Sequence, residues 1–230
     1  MLPADDNVSS ILRPIIGSWY DSLENPKKAQ EQVLNDLIKK YNVTDYGKAH
    51  GTLKIAGVAD YQARFPIIKY QDLLPYMAQV QNGNYKAFLP EPPECWVMTR
   101  GSTGKSKVLP ATPTHLKQIF TCGARGLVNF ALRKNNFDVF SGVILNLNFP
   151  SSVHVMDQNG KEVTYGYSSG TYARLNPMFD RVSLLPRQED IDSLGSGMGR
   201  KDWERRFELV YKQAFDQNVT ATMGVTPVIL

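Results

Sequence analysis

Between Cys95 and Lys107 an apolar run gives way to a polar, glycine-bearing one, and a single regular element cannot contain the change. Cys95 to Met98 predict a short strand. Thr99 to Lys107 then place two glycines, four hydroxyls and three cations in nine positions. Glycine lets a backbone turn its N–H groups toward an anion, hydroxyls add neutral donors, and lysine brings a mobile charge; the segment therefore predicts a polyphosphate-binding loop at the end of a strand. It is not a Walker loop. Thr99 stands where that motif needs its first glycine, and Pro110 and Pro113 prevent a helix from running on out of Lys105.

With 230 residues, 42% of them hydrophobic and 10% aromatic, the chain can build one domain with a sizeable core or two small ones. The formal charge of +4 is modest and the Lys and Arg residues are scattered, which argues against a nucleic-acid partner. His50, His115 and His154 show no metal-ligand spacing, so no metal-binding residues are expected. Cys95 and Cys122 predict buried free thiols rather than a disulfide framework. No apolar run approaches the roughly 18 residues of a membrane span, and the first residues are acidic; the expectation is a cytoplasmic protein with no membrane partner.

Along the chain, Ile11 to Leu23 predict a helix with Pro14 near its first turn, and Asn25-Pro26 a capped second helix whose apolar face carries Val33, Leu34, Leu37, Ile38 and Tyr41. Thr44 to Gly51 reads as a turn, with no nucleophile or carboxylate pattern to make His50 catalytic. Short helices follow over Val58–Phe65 and Tyr70–Val80, the second ended by Asn82-Gly83. Beyond the loop, Thr112-Pro113 opens a helix to about Lys134. Val153–Met156 and Glu162–Tyr165 form a hairpin around Asn159-Gly160. Gly166–Tyr172 reads as a glycine-rich loop, Gly195-x-Gly197-x-Gly199 as a surface linker, and Trp203–Phe215 as an amphipathic helix. Thr226-Pro227 predicts a further helix start. The runs 95–98, 139–147 and 219–223 are expected to share one sheet covered by helices.

The loop is similar to the phosphate motif of the adenylate-forming superfamily, roughly Thr-Ser-Gly-Thr-Thr-Gly-Lys-Pro-Lys. Thr99, Gly101, Thr103, Gly104, Lys105 and Lys107 match and Ser102 is conservative, whereas Arg100 and Ser106 depart. The Asn25-Pro26 helix, the Tyr46-Gly-Lys-Ala-His-Gly51 segment, Phe65-Pro-Ile67 with Tyr70-Gln-Asp-Leu-Leu-Pro-Tyr76, and Asn82-Gly83 precede it in order. That order resembles the auxin-responsive acyl-acid amido synthetase family, a branch of the superfamily; phenylacetate-CoA ligases share a looser version.

The resemblance implies an α/β fold, the N-terminal part of an adenylate-forming large domain, with a mixed sheet flanked by helices. Residues 1–230 would form a single incomplete domain, a mostly helical lead-in over 1–90 and the phosphate loop and α/β core over 91–230. The C-terminal domain and the adenine, ribose and catalytic-lysine elements would lie past Leu230, so the chain alone is expected to be inactive. The implied reaction activates a small carboxylic acid with ATP and passes the acyl group to an amine. A thiol acceptor, as in an acyl-CoA ligase of the phenylacetate type, or a non-catalytic truncated scaffold that binds nucleotide, are the alternatives. ATP and Mg2+ are the implied cofactors, with the magnesium ligands outside this chain. Thr99, Gly101, Ser102, Thr103, Gly104, Lys105 and Lys107 would bind the ATP phosphates; Gly166, Ser168, Ser169 and Gly170 would border the acyl substrate. Catalytic residues are unassigned, and Arg100 either reaches a phosphate or faces solvent. Incomplete cover of the sheet predicts exposed apolar surface and self-association.

Overall fold

The computed structural model describes residues 5–101, 106–177 and 182–224. Helices α1 (Asp5–Glu24) and α2 (Pro26–Tyr41) come first. Asn25 separates them: its side chain accepts a hydrogen bond from the Lys28 N–H, and Pro26 fills a first-turn position where no N–H is needed. Pro14 lies well inside α1 rather than in its first turn, because the helix begins at Asp5, six residues before the apolar pattern does. A proline there removes one intrahelical donor, which packing of α1 on a later helix offsets.

Residues 44–51 are not a simple turn. Thr44 caps a short helix, α3 (Asp45–Ala49), by accepting from the Gly47 N–H, and Gly51 leaves it in the left-handed region at φ 64°. His50 is held by its own helix, its Nδ1 2.8 Å from the Tyr46 carbonyl and its ring stacked on Phe65, which is a packing role. Helices α4 (Val58–Arg64) and α5 (Tyr70–Gln81) follow, and Gly83 at φ 94° ends the latter.

Two sheets follow instead of one. Strands β1 (Cys95–Met98) and β2 (Val108–Ala111) pair antiparallel across the loop. Helix α6 (Pro113–Lys134), capped by Thr112, leads to β3 (Val143–Leu147). That strand starts at 143, not 139, since residues 138–140 form a 3-10 turn. The hairpin of β4 (His154–Gln158) and β5 (Lys161–Tyr167) closes on Asn159 and Gly160, both at positive φ as a two-residue turn requires. His154 is exposed at its start. Strand β5 then lies parallel to β1, giving a mixed sheet in the order β2-β1-β5-β4. Helix α7 (Ser168–Leu175), β6 (Leu184–Leu185), α8 (Gln188–Ser193), α9 (Arg200–Ala214) and β7 (Val219–Gly224) complete the described chain. Strands β6, β3 and β7 form a second, parallel sheet.

The one-sheet expectation is therefore corrected: Cys95–Met98 lie in the mixed sheet, Val143–Leu147 and Val219–Gly224 in the parallel one. Each sheet has its own core. Val80, Leu89 and Trp96 are buried under the mixed sheet, and Ile144, Ala173 and Leu184 under the parallel one. The connection is residues 148–152, held by a buried polar network. The Asp192 carboxylate accepts from the Ser151 N–H at 2.7 Å and from the Ser151 hydroxyl, while Gln188 Nε2 donates to the Phe149 carbonyl. Large apolar side chains remain exposed, among them Ile11, Ile15 and Leu23 on α1, Phe207 and Tyr211 on α9, and Phe215 just after it. Among the described residues no helix is long and apolar enough to cross a membrane. The expected helix at Thr226-Pro227 lies outside the described residues.

Candidate functional site

Parallel neighbours deliver the site. Val97 pairs with Gly166 and Met98 with Tyr167, so the residue after each strand leaves the sheet at the same carboxyl end. One exit is Thr99 and the other Ser168, the first residue of α7. In α/β folds ligands sit at such ends, where loops and helix N-termini converge. No side chain caps the first turn of α7.

The base of the loop closes on itself. Thr99 N–H donates to the Lys107 carbonyl at 2.9 Å, and Lys107 N–H donates to Thr99 Oγ1 at 3.1 Å. Gly101 takes φ 64°, a conformation that costs other residues steric strain. Ser102, Thr103, Gly104 and Lys105 lie outside the described residues. Arg100 is exposed and also lays its guanidinium 5.0 Å from the centroid of the Phe149 ring.

Tyr70 was not legible as part of this site. Its hydroxyl donates to the Val108 carbonyl at 2.9 Å and accepts from the Val108 N–H at 3.1 Å. Val108 begins the edge strand β2, so one phenol supplies the donor and the acceptor that a neighbouring strand would give. The same ring lies 5.7 Å from the Lys107 ammonium. Its signal in the sequence was only its place in the Tyr70–Tyr76 motif.

A mostly apolar cavity of about 330 Å³ lies between α6, α7, β3 and β7. Ile119, Phe120 and Leu127 of α6, Ile144 of β3 and Met223 of β7 wall it, and among the described residues no charged side chain lines it. Ser169 and Tyr172 of α7 provide hydroxyls at its edge. Ser169 Oγ also accepts from the Phe149 N–H at 3.3 Å, so Phe149 stands between the cavity and Arg100. Gly166 and Gly170 are buried against residues 149–152 and give that segment room; Ser168 is half-buried at the start of α7. The segment 166–172 is thus a strand end and a helix, not a loop.

Tyr172 bonds His115 Nε2 at 2.9 Å, and burial, then the nearby Cys95, raises its phenol above the usual range. Burial likewise pushes the Cys95 thiol up to about 11, against a lowering by Arg174. Cys122 is exposed on α6 and Cys95 is only half-buried on β1, contrary to the expectation that both thiols are buried. At pH 8 a thiol reagent should titrate Cys122 promptly and Cys95 only on unfolding. An unfolded cysteine ionises near about 8.5, so the native state holds its Cys95 proton where the unfolded chain has lost it. The stability this contributes is full below about pH 8.5 and falls away as pH rises through 11.

The glycine-bearing loop thus leaves the carboxyl end of β1 beside its parallel neighbour β5, and Phe149 links its Arg100 to Ser169 at the apolar cavity. The GH3 family N-terminal domain matches residues 16–192, well over half of the chain, and the chain belongs to that family. Indole-3-acetic acid-amido synthetase GH3.2 of Arabidopsis thaliana is 26% identical over 88 residues, 37% of this chain and 16% of that protein. The solved structure of AtGH3.15 acyl acid amido synthetase in complex with 2,4-DB superimposes with a TM-score of 0.62 at 18% identity, over 84% of this chain and 34% of that one. Another, GH3.15 acyl acid amido synthetase, gives 0.54 at 20% identity over 65% and 27%. The mixed α/β architecture is thus shared with acyl acid amido synthetases, and the chain spans about a third of their length or less.

Proposed function

We propose that this chain carries the phosphate loop and part of the acid-binding wall of an ATP-dependent acyl-adenylate-forming ligase that makes amides. The observation that carries the reading is the junction at Phe149: the loop's Arg100 covers its ring, and its backbone N–H is bonded to Ser169, which lines the apolar cavity. An acid whose body fills that cavity would have its carboxylate directed toward phosphates held by residues 99–107. The carboxylate oxygen attacks the α-phosphorus of ATP, the bond to the bridging oxygen breaks, and pyrophosphate leaves. An amine nitrogen then attacks the acyl carbon, loses its proton, and displaces AMP.

Most of the demand on such a site is positioning and charge neutralisation. In this reading Thr99, Gly101, Ser102, Thr103 and Gly104 contribute donors, and Lys105 and Lys107 countercharge. Among the described residues no group of three or more His, Cys, Asp or Glu could hold a metal ion, so they do not fit a magnesium cage. The reading places the protein in the cytosol, where ATP is available. Calorimetric titration of the 230-residue chain with ATP or tripolyphosphate tests it. Lys107→Ala should weaken binding by about ten- to a hundredfold, the loss of a charge-assisted bond of roughly 1.5 to 3 kcal/mol. Equal affinity in both proteins, with unchanged folding, would refute the loop assignment.

A further inference from the structure

Arg100 stands at the start of the loop with a ring, not a carboxylate, against its charge: the guanidinium carbon lies 5.0 Å from the Phe149 centroid. Lys107 repeats the arrangement on the other arm. Its ammonium lies 5.7 Å from the centroid of Tyr70. Among the described residues neither cation forms an ion pair, and both residues are exposed. A ring holds a cation through its quadrupole and leaves hydrogen-bond donors for another partner. The backbone bond from Thr99 to Lys107 brings the two arms together, so two ring-backed cations flank one closed loop base. An anion arriving there displaces no carboxylate.

Phe149 is itself held in place. Its ring is buried, meets Trp203 of α9 at 5.4 Å with the planes 76° apart, and meets Tyr167 of β5 at 5.2 Å. Trp203 in turn carries Arg206, whose guanidinium lies 5.3 Å from the indole. Arg206 is only 4% exposed and donates to the Gly195 and Gly197 carbonyls, which ties the glycine-bearing segment before α9 to the same stack. Edge-on aromatic pairs prefer a fixed geometry. The row from Arg206 through Trp203 and Phe149 therefore steadies an exposed arginine from a helix far along the chain.

We infer that Arg100 is a phosphate ligand of this site and that Trp203, acting through Phe149, is the positioning residue that aims it. A planar guanidinium presents paired N–H donors to two oxygens of one phosphate, which a lysine ammonium does not. Lys107 then supplies a point of charge and Arg100 a fixed direction. This assignment rests on the phosphate-loop reading and extends it to the residue at which the loop departs from the Thr-Ser-Gly pattern.

Calorimetry of tripolyphosphate with the 230-residue chain tests both parts. Arg100→Ala should weaken binding about tenfold, as for loss of one charge-assisted hydrogen bond, and Arg100→Lys about threefold, since charge survives without the paired donors. Trp203→Leu should weaken binding about threefold as well, and Trp203→Phe, which keeps a ring beside Phe149, should restore it. Coupling is the reading that a merely structural role would not move. In an Arg100→Ala background Trp203→Leu should cost no further affinity, although it lowers the urea midpoint as before. Parent-like affinity in Arg100→Ala would overturn the inference; because Arg100 is exposed, that variant keeps the fold. So would an equal loss from Trp203→Leu in both backgrounds. Lys107→Ala separates this assignment from the reading it rests on: if Lys107→Ala weakens binding and Arg100→Ala does not, the loop binds phosphate without Arg100, and if neither does, the loop assignment falls too.

Discussion

Gly170→Ala is expected to destabilise the folded chain by about 3 kcal/mol or more, the upper range for overpacking a core. A methyl group built on Gly170 would stand 1.9 Å from the Phe149 carbonyl oxygen and 3.0 Å from the Ser151 nitrogen. Both are backbone atoms in the segment joining the two sheets, so no side chain can swing aside. Alanine's better helix propensity, about 1 kcal/mol, does not offset that. Gly126→Ala is the matched control, a helical glycine with nothing within 4 Å, and should gain up to about 1 kcal/mol. Urea unfolding of the two variants reads both signs at once. A Gly170→Ala chain as stable as its parent would mean that residues 149–151 do not lie against α7.

Tyr70 carries the second large effect. Tyr70→Phe keeps the ring beside Lys107 but removes the hydroxyl that both donates to and accepts from Val108. Tyr70→Leu removes ring and hydroxyl together. Affinity for tripolyphosphate should fall about tenfold in the first and further in the second, the loss of one to two hydrogen bonds' worth of positioning. Stability should fall less, by about 1 kcal/mol, because water can replace the phenol at a half-buried strand edge. The ratio between the two losses is the measurement that matters. If affinity follows stability one for one, Tyr70 is scaffold only.

Local signals were legible wherever one or two residues decide a structure. Asn25-Pro26 and Thr112-Pro113 open their helices, and Asn159-Gly160 makes its hairpin, because caps and turns are settled within four residues. Pairing was not legible. Strand β1 meets residues 166 and 167, some seventy positions on, and four residues carry too little pattern to name that partner. The parallel core failed for a related reason: β6 is two residues long, and its role depends wholly on lying beside β3. The turn of the loop at Thr99, Gly101 and Lys107 was legible in its composition. Tyr70 and the Phe149 junction were not, because each acts through a contact that sequence distance hides.

The pairing of Met98 with Tyr167 also sets where the chain can tolerate a change of length. From Gly160 to Gly170 every residue counts toward the distance between the first turn of α7 and Thr99. One inserted residue in β5 would shift that helix by about 3.3 Å and turn each following side chain to the opposite face of the sheet. The hairpin turn at Asn159-Gly160 lies at the other end of β5, about 20 Å from the loop at strand spacing. Relatives of this chain should therefore vary in length at that turn and keep one fixed count from it to α7, a rule that an alignment can check without knowing any substrate.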